Sequence, residues 1–278
     1  MSLKITTLIE NMPDDENKLA FEHGFSVLLE VNGKRILFDT GQSGAFVKNA
    51  EALDVKLSEI DAVVLSHGHY DHTGGVPALL PLLKETIPVY VGKEFFLPKY
   101  KSLGEGVWKY NGIPFTPELL SDRARFHYVE QNVTRLYEEV FLLKNFTRKT
   151  AYEELNPKFF IKTEAGYEPD CFADEIALGI VTQAGLVLVA GCAHVGIVNM
   201  LEHVKEHTEL PVTAVLGGTH LVEAGEERLA KTVEAIKANG VKIIAVSHCT
   251  GEAGMELLEK EFSEGFVRNN TGHRIIIQ

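Results

Sequence analysis

Residues 66–75 read Ser66-His67-Gly68-His69-Tyr70-Asp71-His72-Thr73-Gly74-Gly75. Three imidazoles and one carboxylate therefore fall within six residues of a chain that has 11 histidines in 278 residues. Neutral imidazole and carboxylate suit Zn²⁺, Fe or Mn²⁺, and four such groups offer ligands to two ions rather than one. The stretch predicts one or two divalent metal ions, zinc first, with manganese, iron or magnesium as alternatives. A solvated, histidine-rich turn is the other interpretation.

The flanking residues place this stretch on a loop between a strand and a helix. Before it, residues 61–66 form a short apolar run with β-branched side chains, which is typical of a buried strand. After it, Gly74 and Gly75 precede residues 76–80, which we predict to be helical. Loops at strand ends carry chemistry in α/β scaffolds because they expose polar groups that a packed strand cannot. The metal site is thus predicted at a strand end.

Three later strands are also followed by a histidine. Apolar runs at residues 185–190, 212–216 and 241–246 predict these strands. The histidines that follow them are His194, His220 and His248. Each one alone is more often a hydrogen-bonded core or turn residue than a metal ligand. Strands of one sheet bring their end loops to a common edge, however, so the sequence predicts one shared site built from distant parts of the chain.

An early hairpin contributes a further carboxylate. Residues 26–31 and 35–39 flank Asn32-Gly33, a dipeptide preferred in type I′ hairpin turns. The second strand ends at Asp39, which is either a simple turn former or a group that orients a metal-bound imidazole or water. Its proximity to the histidine loop through the sheet favours the second role.

These residues together resemble the metallo-β-lactamase superfamily. The resemblance rests on His67-x-His69-x-Asp71-His72 after a strand, on Asp39 in an earlier strand and on the late His248. It covers nearly the whole chain and implies an α/β fold, a four-layer αββα sandwich of two facing sheets with helices outside. It also implies that the first metal is held by His67, His69 and His194. The second would be held by Asp71, His72 and His248, with Asp39 outside the ligands.

Cys192 departs from the superfamily pattern. The usual hydrolases have a bridging aspartate in this region, whereas here Gly191 is followed by Cys192 and then by His194. A missing carboxylate would weaken or alter the second metal site, unless the Cys192 thiolate takes its place. Because thiolate is a softer ligand, we predict that Cys192 is a buried structural thiol beside the metals.

Short motifs narrow the resemblance to one branch of the superfamily. They lie at residues 22–26, 191–199, 217–221 and 247–251. They resemble the branch that contains the methanopterin-pathway enzyme 7,8-dihydropterin-6-methyl-4-(β-D-ribofuranosyl)-aminobenzene-5′-phosphate synthase. This branch implies transfer or condensation on a phosphorylated small molecule, whereas the superfamily at large implies hydrolysis of a phosphoester or lactone. A non-catalytic metal-binding protein is the third interpretation, but structural zinc sites close with four ligands and favour cysteine.

Some residues are predicted to face the substrate rather than the metal, namely His23, Gly217, Gly218 and His220. The metals already have six candidate ligands, so His220 is available as a general acid or as a hydrogen-bond donor to an anionic substrate. Asp71 is the second candidate catalytic residue. The two glycines would let backbone amides approach an anion closely. The alternative is that His220 only caps the following turn.

The composition limits the class of partner. The formal net charge of −12 argues against nucleic acid, because binding a polyanion requires clustered Lys and Arg. An anionic or phosphorylated small molecule is the expected partner. We expect no membrane association, since no window approaches the ~18 apolar residues of a span. The three cysteines lack C-x-x-C spacing, so reduced thiols and a cytoplasmic location are expected.

We expect a single domain over residues 1–278, because no linker, repeat or low-complexity tract divides the chain. Residues 95–135 differ from the rest, with aromatic residues among Lys, Arg and Gly and with poor periodicity. We predict a lid or insert there. Its aromatic side chains either stack on a flat ligand or form a small core of their own.

Overall fold

The computed structural model describes residues 2–120 and 123–278. Its strands in chain order are β1 (Leu3–Ile9), β2 (Ser26–Val31), β3 (Lys34–Phe38), β4 (Ala62–Val64), β5 (Ile87–Gly92), β6 (Lys99–Gly104), β7 (Val107–Tyr110), β8 (Ala124–Val129), β9 (Val133–Tyr137), β10 (Val140–Leu143), β11 (Phe159–Thr163), β12 (Gly166–Pro169), β13 (Ala177–Thr182), β14 (Gly185–Ala190), β15 (Val212–Gly217), β16 (Ile243–Val246), β17 (Phe266–Arg268) and β18 (Arg274–Ile277). Its helices are α1 (Ala45–Ala52), α2 (Tyr70–Thr73), α3 (Val76–Leu79), α4 (Ile197–Thr208), α5 (Glu226–Ala238) and α6 (Glu252–Phe262).

Two seven-stranded sheets contain most of the described strands. The first has the order β18-β1-β2-β3-β4-β5-β8, and the second has the order β17-β16-β15-β14-β13-β10-β9. Each sheet has a parallel half, which runs from β3 to β8 in the first sheet and from β14 to β17 in the second. Parallel strands bring their carboxyl ends to one edge, where open α/β sheets bind ligands. The loops after β3, β4, β14, β15 and β16 carry the predicted site residues except His23, which precedes β2, and Gly217, which ends β15.

Three clusters of hydrophobic side chains lie between the four layers of helices and sheets. Side chains such as Phe25 and Val189 fill the space between the two sheets. Phe46 of α1 packs on the outer face of the first sheet, and Leu201 of α4 and Leu258 of α6 pack on the outer face of the second. The order of layers confirms the predicted αββα sandwich. No helix in the described ranges is long and apolar enough to cross a membrane.

The structure agrees with the predicted hairpin and differs at the helix after the histidine stretch. Asn32 and Gly33 have φ values of 47° and 76°, as a type I′ turn requires. The helix predicted over residues 76–80 ends at Leu79 and continues as a 3₁₀ turn at Leu80–Leu82. Pro81 in that turn lacks the N–H that a continuing α-helix needs.

A four-stranded sheet with the order β12-β11-β6-β7 lies outside the two main sheets. Its strands β6 and β7 come from residues 95–135, whereas β8 and β9 of that segment belong to the main sheets. The rings of Trp108 and Tyr167 stack with centroids 4.1 Å apart, and Tyr100 meets Tyr110 edge-on at 5.3 Å. These aromatic side chains contact one another, but Tyr110 and Tyr167 stay exposed, so the choice between stacking on a ligand and forming a small core stays a prediction. A role as a lid stays a prediction.

Candidate metal centre

The first group of predicted ligands is brought together after β4 and β14. His67 Nε2 and His69 Nδ1 are 3.0 Å apart, and the His194 ring centroid lies 4.8 Å and 4.9 Å from those of His67 and His69. Burial lowers the pKa of all three imidazoles well below its ordinary value. The buried His194 Nε2 atom has no hydrogen-bond partner among the described residues. Three neutral imidazoles therefore converge, with nitrogens whose lone pairs suit a cation.

The second group of predicted ligands lies beside the first. His72 Nε2 is 3.2 Å from His248 Nε2, and Asp71 Oδ2 is 3.4 Å from His248 Nε2. Although burial favours the neutral carboxyl, His72, together with hydrogen bonds from neighbouring imidazoles, lowers the pKa of Asp71 well below its usual value. An ionised carboxylate and two imidazoles thus form a second group of candidate ligands, from which a divalent cation would displace the proton of His72.

Cys192 lies between these two groups. Its sulfur is 3.2 Å from His72 Nε2 and within 4.8 Å of ligand atoms from both groups. Burial raises the pKa of the Cys192 thiol well above its ordinary value, so a nearby cation would be needed to hold it as a thiolate. The Cys192 side chain is buried and lines the same cavity as the candidate ligands, and its role as a structural thiol stays a prediction.

Asp39 occupies the position predicted for it outside the ligands. Its Oδ2 atom is 2.6 Å from His72 Nδ1, and its carboxylate accepts hydrogen bonds of 2.7 Å from the N–H and the hydroxyl of Ser66. Burial opposes a charged His72, but Asp39 and Asp71 overcome this effect and raise the pKa of His72 to about 9. A carboxylate bound to the outer nitrogen of an imidazole fixes its orientation towards a metal.

The residues predicted to face the substrate are only partly brought together. The site opens into a cavity of about 400 Å³ whose lining includes His23, Asp71, Cys192, His194, His220 and His248. His23 is exposed at the rim, with Nε2 3.1 Å from Asp71 Oδ2. The His220 ring lies 4.3 Å from the His194 ring, and neither of its nitrogens has a partner in the described part of the chain. His23 and His220 are therefore both at the predicted site.

Comparison with known proteins identifies the family. The family model of the metallo-beta-lactamase superfamily matches residues 19–138. A 7,8-dihydropterin-6-methyl-4-(beta-D-ribofuranosyl)-aminobenzene-5′-phosphate synthase from Methanocaldococcus jannaschii is 33% identical over 98% of this chain and 95% of its own. The chain belongs to the metallo-β-lactamase superfamily. The superfamily and the synthase relative together indicate an enzyme.

Solved structures of the superfamily agree with this assignment. Tm1679, described as a metal-dependent hydrolase of the beta-lactamase superfamily, is 31% identical and has a TM-score of 0.85 over 98% of both chains. A diphosphatase from the PhnP family is 14% identical and has a TM-score of 0.59 over 99% of this chain and 98% of its own. The second likeness shows the fold alone.

Gly217 and Gly218 do not have the geometry of the predicted anion site. A Cβ on Gly217 would lie 1.9 Å from the Ala190 carbonyl oxygen, and one on Gly218 would lie 2.4 Å from that of Gly191. The Gly218 N–H donates to the Gly191 carbonyl at 3.1 Å. The two glycines permit close approach of the β14 and β15 ends, the Gly218 N–H is already bonded, and neither glycine is among the residues that line the cavity.

Buried carboxylates hold the backbone of the loops that carry the histidines, and the sequence analysis did not find them. Glu175 accepts the N–H groups of His194 and Val195 at 2.8 Å and 2.9 Å, and burial raises its pKa to about 7. Glu10 accepts the N–H of His248 at 2.5 Å. Acidic residues at the edges of apolar strands are the available sequence signal, since a buried carboxylate needs partners.

A third buried carboxylate connects the small sheet to the histidine stretch. Asp174 Oδ2 accepts the Gly68 N–H at 2.7 Å, and its Oδ1 is 3.0 Å from the ammonium of Lys99. Lys99 also pairs with Asp170 at 2.7 Å, and all three charged side chains are buried. Lys99 lies on β6. Asp174 therefore links the small sheet to Gly68, which lies between the candidate ligands His67 and His69.

Strained backbone is concentrated in the same loops. Asp39, Ala193, His220 and His248 all have φ between 49° and 58°, a region that residues other than glycine adopt at a cost. Such outliers cluster at functional sites, where the surrounding structure enforces them. Each one lies within three residues of the end of a strand, so the strained backbone is in the loops that carry the candidate site residues.

Asn111 is a further residue of the site that the sequence analysis missed. Its Nδ2 atom lies 3.2 Å from His69 Nε2, while its buried Oδ1 atom lacks a partner among the described residues. If His69 Nδ1 faces a cation, its Nε2 carries the proton and needs an acceptor. Rotating the carboxamide by half a turn supplies that acceptor.

Replacing Asn111 by alanine is expected to weaken metal binding about 10- to 100-fold, the usual effect of removing the partner of a metal-bound histidine. Asn111→Asp keeps an acceptor and should retain most of the affinity. Titration against a chelator of known affinity measures the difference, with Asn132→Ala, an exposed position, as the control. Equal affinities in the wild-type and Asn111→Ala proteins would contradict the assignment.

Proposed function

We propose that this protein is a metal-dependent enzyme that performs a transfer or condensation reaction on a phosphorylated small molecule. The observation that carries the proposal is the meeting of two ligand groups around Cys192 at an open cavity. A closed structural zinc site uses four protein ligands, and more than four candidate donors meet here. Hydrolysis of a phosphoester or lactone is the second candidate, favoured by the hydrolase description of Tm1679.

The donor set fits one or two divalent cations. His67, His69 and His194 would hold one ion, and Asp71, His72 and His248 would hold another, with the Cys192 thiolate between them. The fit is supported by His67 Nε2 and His69 Nδ1, two ring nitrogens that face each other at 3.0 Å. A cation there would supply Lewis acidity to a phosphoryl or carbonyl oxygen and would lower the pKa of water.

The side chains of this protein supply orientation and proton transfer. Asp39 accepts the Nδ1 proton of His72, so that Nε2 faces Cys192 and His248. His220, with both ring nitrogens unpartnered among the described residues and its ring in the cavity, is placed to give a proton to a leaving group. His23 holds the Asp71 carboxylate from the rim.

The proposed substrate is a small anion rather than a nucleic acid. The synthase relative is named for a product that carries a 5′-phosphate, and this chain has a formal net charge of −12, which opposes binding of a polyanion. A cytoplasmic location is part of the proposal and accords with three cysteines that form no disulfide.

The metal dependence is tested on protein purified without chelator. Elemental analysis is expected to find one to two equivalents of zinc, iron or manganese per chain, because the donors form two groups. A protein that contains no metal and takes up none on titration would rule out the proposal.

The reaction class is tested with two sets of compounds and with Zn²⁺, Mn²⁺ or Mg²⁺ added. Chromogenic phosphodiesters, lactones and thioesters report hydrolysis, and phosphorylated pterin-like compounds with an arylamine acceptor report transfer. We expect transfer to exceed hydrolysis, with the metal-stripped protein as the blank. Efficient hydrolysis without transfer would favour the second candidate.

A further inference from the structure

Two lysines of the small sheet line the same cavity as the candidate metal ligands. Lys101 lies on β6 and Lys109 lies opposite it on β7, as Cα partners in the antiparallel pair. In the parts of the chain that the structure describes, neither ammonium forms an ion pair. Two nearby lysines do: Lys99 pairs with Asp170 at 2.7 Å. Lys158 lies 3.6 Å from Glu223, a carboxylate that also lines the cavity.

Two lysines placed opposite each other without a counter-ion are unfavourable. Like charges directly opposite each other on antiparallel strands destabilise the pair. The chain has 39 acidic residues but only 27 lysines and arginines. Two lysines without an ion-pair partner are therefore unusual in this protein. An anion held between the ammonium groups would remove the repulsion, and the cavity is open to one.

Phe159 connects the lysine pair with the metal centre. The Lys101 ammonium lies 5.4 Å from the centroid of the Phe159 ring, and that ring lies 5.2 Å from the His69 ring and 5.3 Å from the His194 ring. The cavity wall thus runs from the two lysine ammonium groups, across the apolar Phe159 ring, to the imidazoles of the candidate metal centre. A molecule that spans it would have an anionic end and an apolar body.

We propose that Lys101 and Lys109 form a subsite for a phosphate monoester group of the substrate, with Phe159 against the apolar body next to it. A phosphate monoester carries a charge close to −2 at neutral pH, which two ammonium groups match, and lysine binds phosphate as a point charge. The inference rests on the proposed function, since it takes this cavity as the place where the substrate binds.

The test measures binding of phenyl phosphate and of inorganic phosphate to the metal-loaded full chain by calorimetry. The double variant Lys101→Ala/Lys109→Ala is expected to bind phenyl phosphate about tenfold or more weakly, since two charge-assisted contacts are lost. Lys101→Arg/Lys109→Arg should restore most of the affinity. The matched control is Lys162→Ala, a lysine of the same sheet beside Tyr167 that does not line the cavity.

Salt provides a second readout. Raising NaCl from about 50 to about 500 mM should weaken binding to the wild-type protein and have a much smaller effect on the double alanine variant, because salt screens exposed charges. Phenyl phosphate should bind more tightly than inorganic phosphate if Phe159 contributes.

The outcomes separate the subsite from the proposed function. A double alanine variant that carries full metal and binds phenyl phosphate as tightly as wild type would overturn the subsite and leave the metal-dependent enzyme intact. A wild-type protein that binds no metal, yet binds phenyl phosphate through the lysines, would overturn the proposed function alone. Should the double variant unfold, the single variant Lys109→Ala, at an exposed position, gives the same comparison.

Discussion

The His67→Ala protein is expected to lose about one metal equivalent and to turn over about a thousandfold more slowly than wild type, because a catalytic cation stabilises the transition state by several kcal/mol. His67 is fully buried, and its Nε2 atom faces His69 Nδ1 at 3.0 Å. His72→Ala should empty the other group, since His72 Nε2 faces His248 and Cys192. Elemental analysis and steady-state kinetics of each purified variant measure both effects.

His207→Ala is the control, because His207 is exposed on α4 and does not line the cavity. A buried histidine replaced by alanine also loses packing, so the melting temperature is measured with and without added metal. Metal that binds only the folded chain raises this temperature by mass action, and the rise should be smaller in His67→Ala than in His207→Ala. Unchanged metal content in both His67→Ala and His72→Ala would place the ions elsewhere.

The positions of the candidate ligands were predictable from the sequence because each follows a local pattern. An apolar run of strand length precedes each polar loop, and each loop that carries a candidate ligand contains a histidine. His194, His220 and His248 follow neighbouring parallel strands of the second sheet, which end at one edge. His67 follows β4 of the first sheet and meets them because the two sheets pack face to face, so the predicted convergence on a single sheet was wrong. The αββα layering itself came from the resemblance, since strand and helix patterns alone do not specify which faces pack together.

The carboxylates beneath the loops were not predictable because their partners are distant in sequence. Glu10 bonds to the backbone of His248, and no periodic pattern joins positions so far apart. The same holds for Asp174 and Gly68. These partners are backbone N–H groups, which carry no residue-specific signal. Their position at the edge of an apolar strand is a sequence signal for burial, but only the fold shows which N–H groups they bind.

The small sheet was missed for a related reason. Its strands pair residues 99–110 with residues 159–169, and within β6 and β7 aromatic side chains on one face alternate with lysines on the other. The alternation is short and mixed with glycine, so it resembles irregular chain when each segment is considered alone. These segments become strands because β6 pairs with β11, which is distant in sequence.

Replacing His220 by asparagine is expected to leave metal content near wild type and to lower turnover about 100-fold or more, the usual scale of a lost acid–base group. The His220 backbone has φ 49°, which asparagine tolerates better than alanine does, so this variant tests the side chain with little added strain. The imidazole contacts the Cys249 thiol, whose pKa it helps to lower, so Cys249→Ser is analysed alongside to show whether loss of this contact alone slows turnover.

The competing role for His220 is that of a metal ligand, because its ring lies with Cys192 and Cys249 in a group whose ligand atoms are within 4.8 Å of one another. Metal analysis separates the two roles. Loss of an equivalent in His220→Asn would make His220 a ligand, whereas full metal with unchanged turnover would make it part of the scaffold. Full metal with slow turnover supports the acid–base role. If the fall in rate as pH rises is lost or shifted in this variant, the donated proton is assigned to the His220 imidazole.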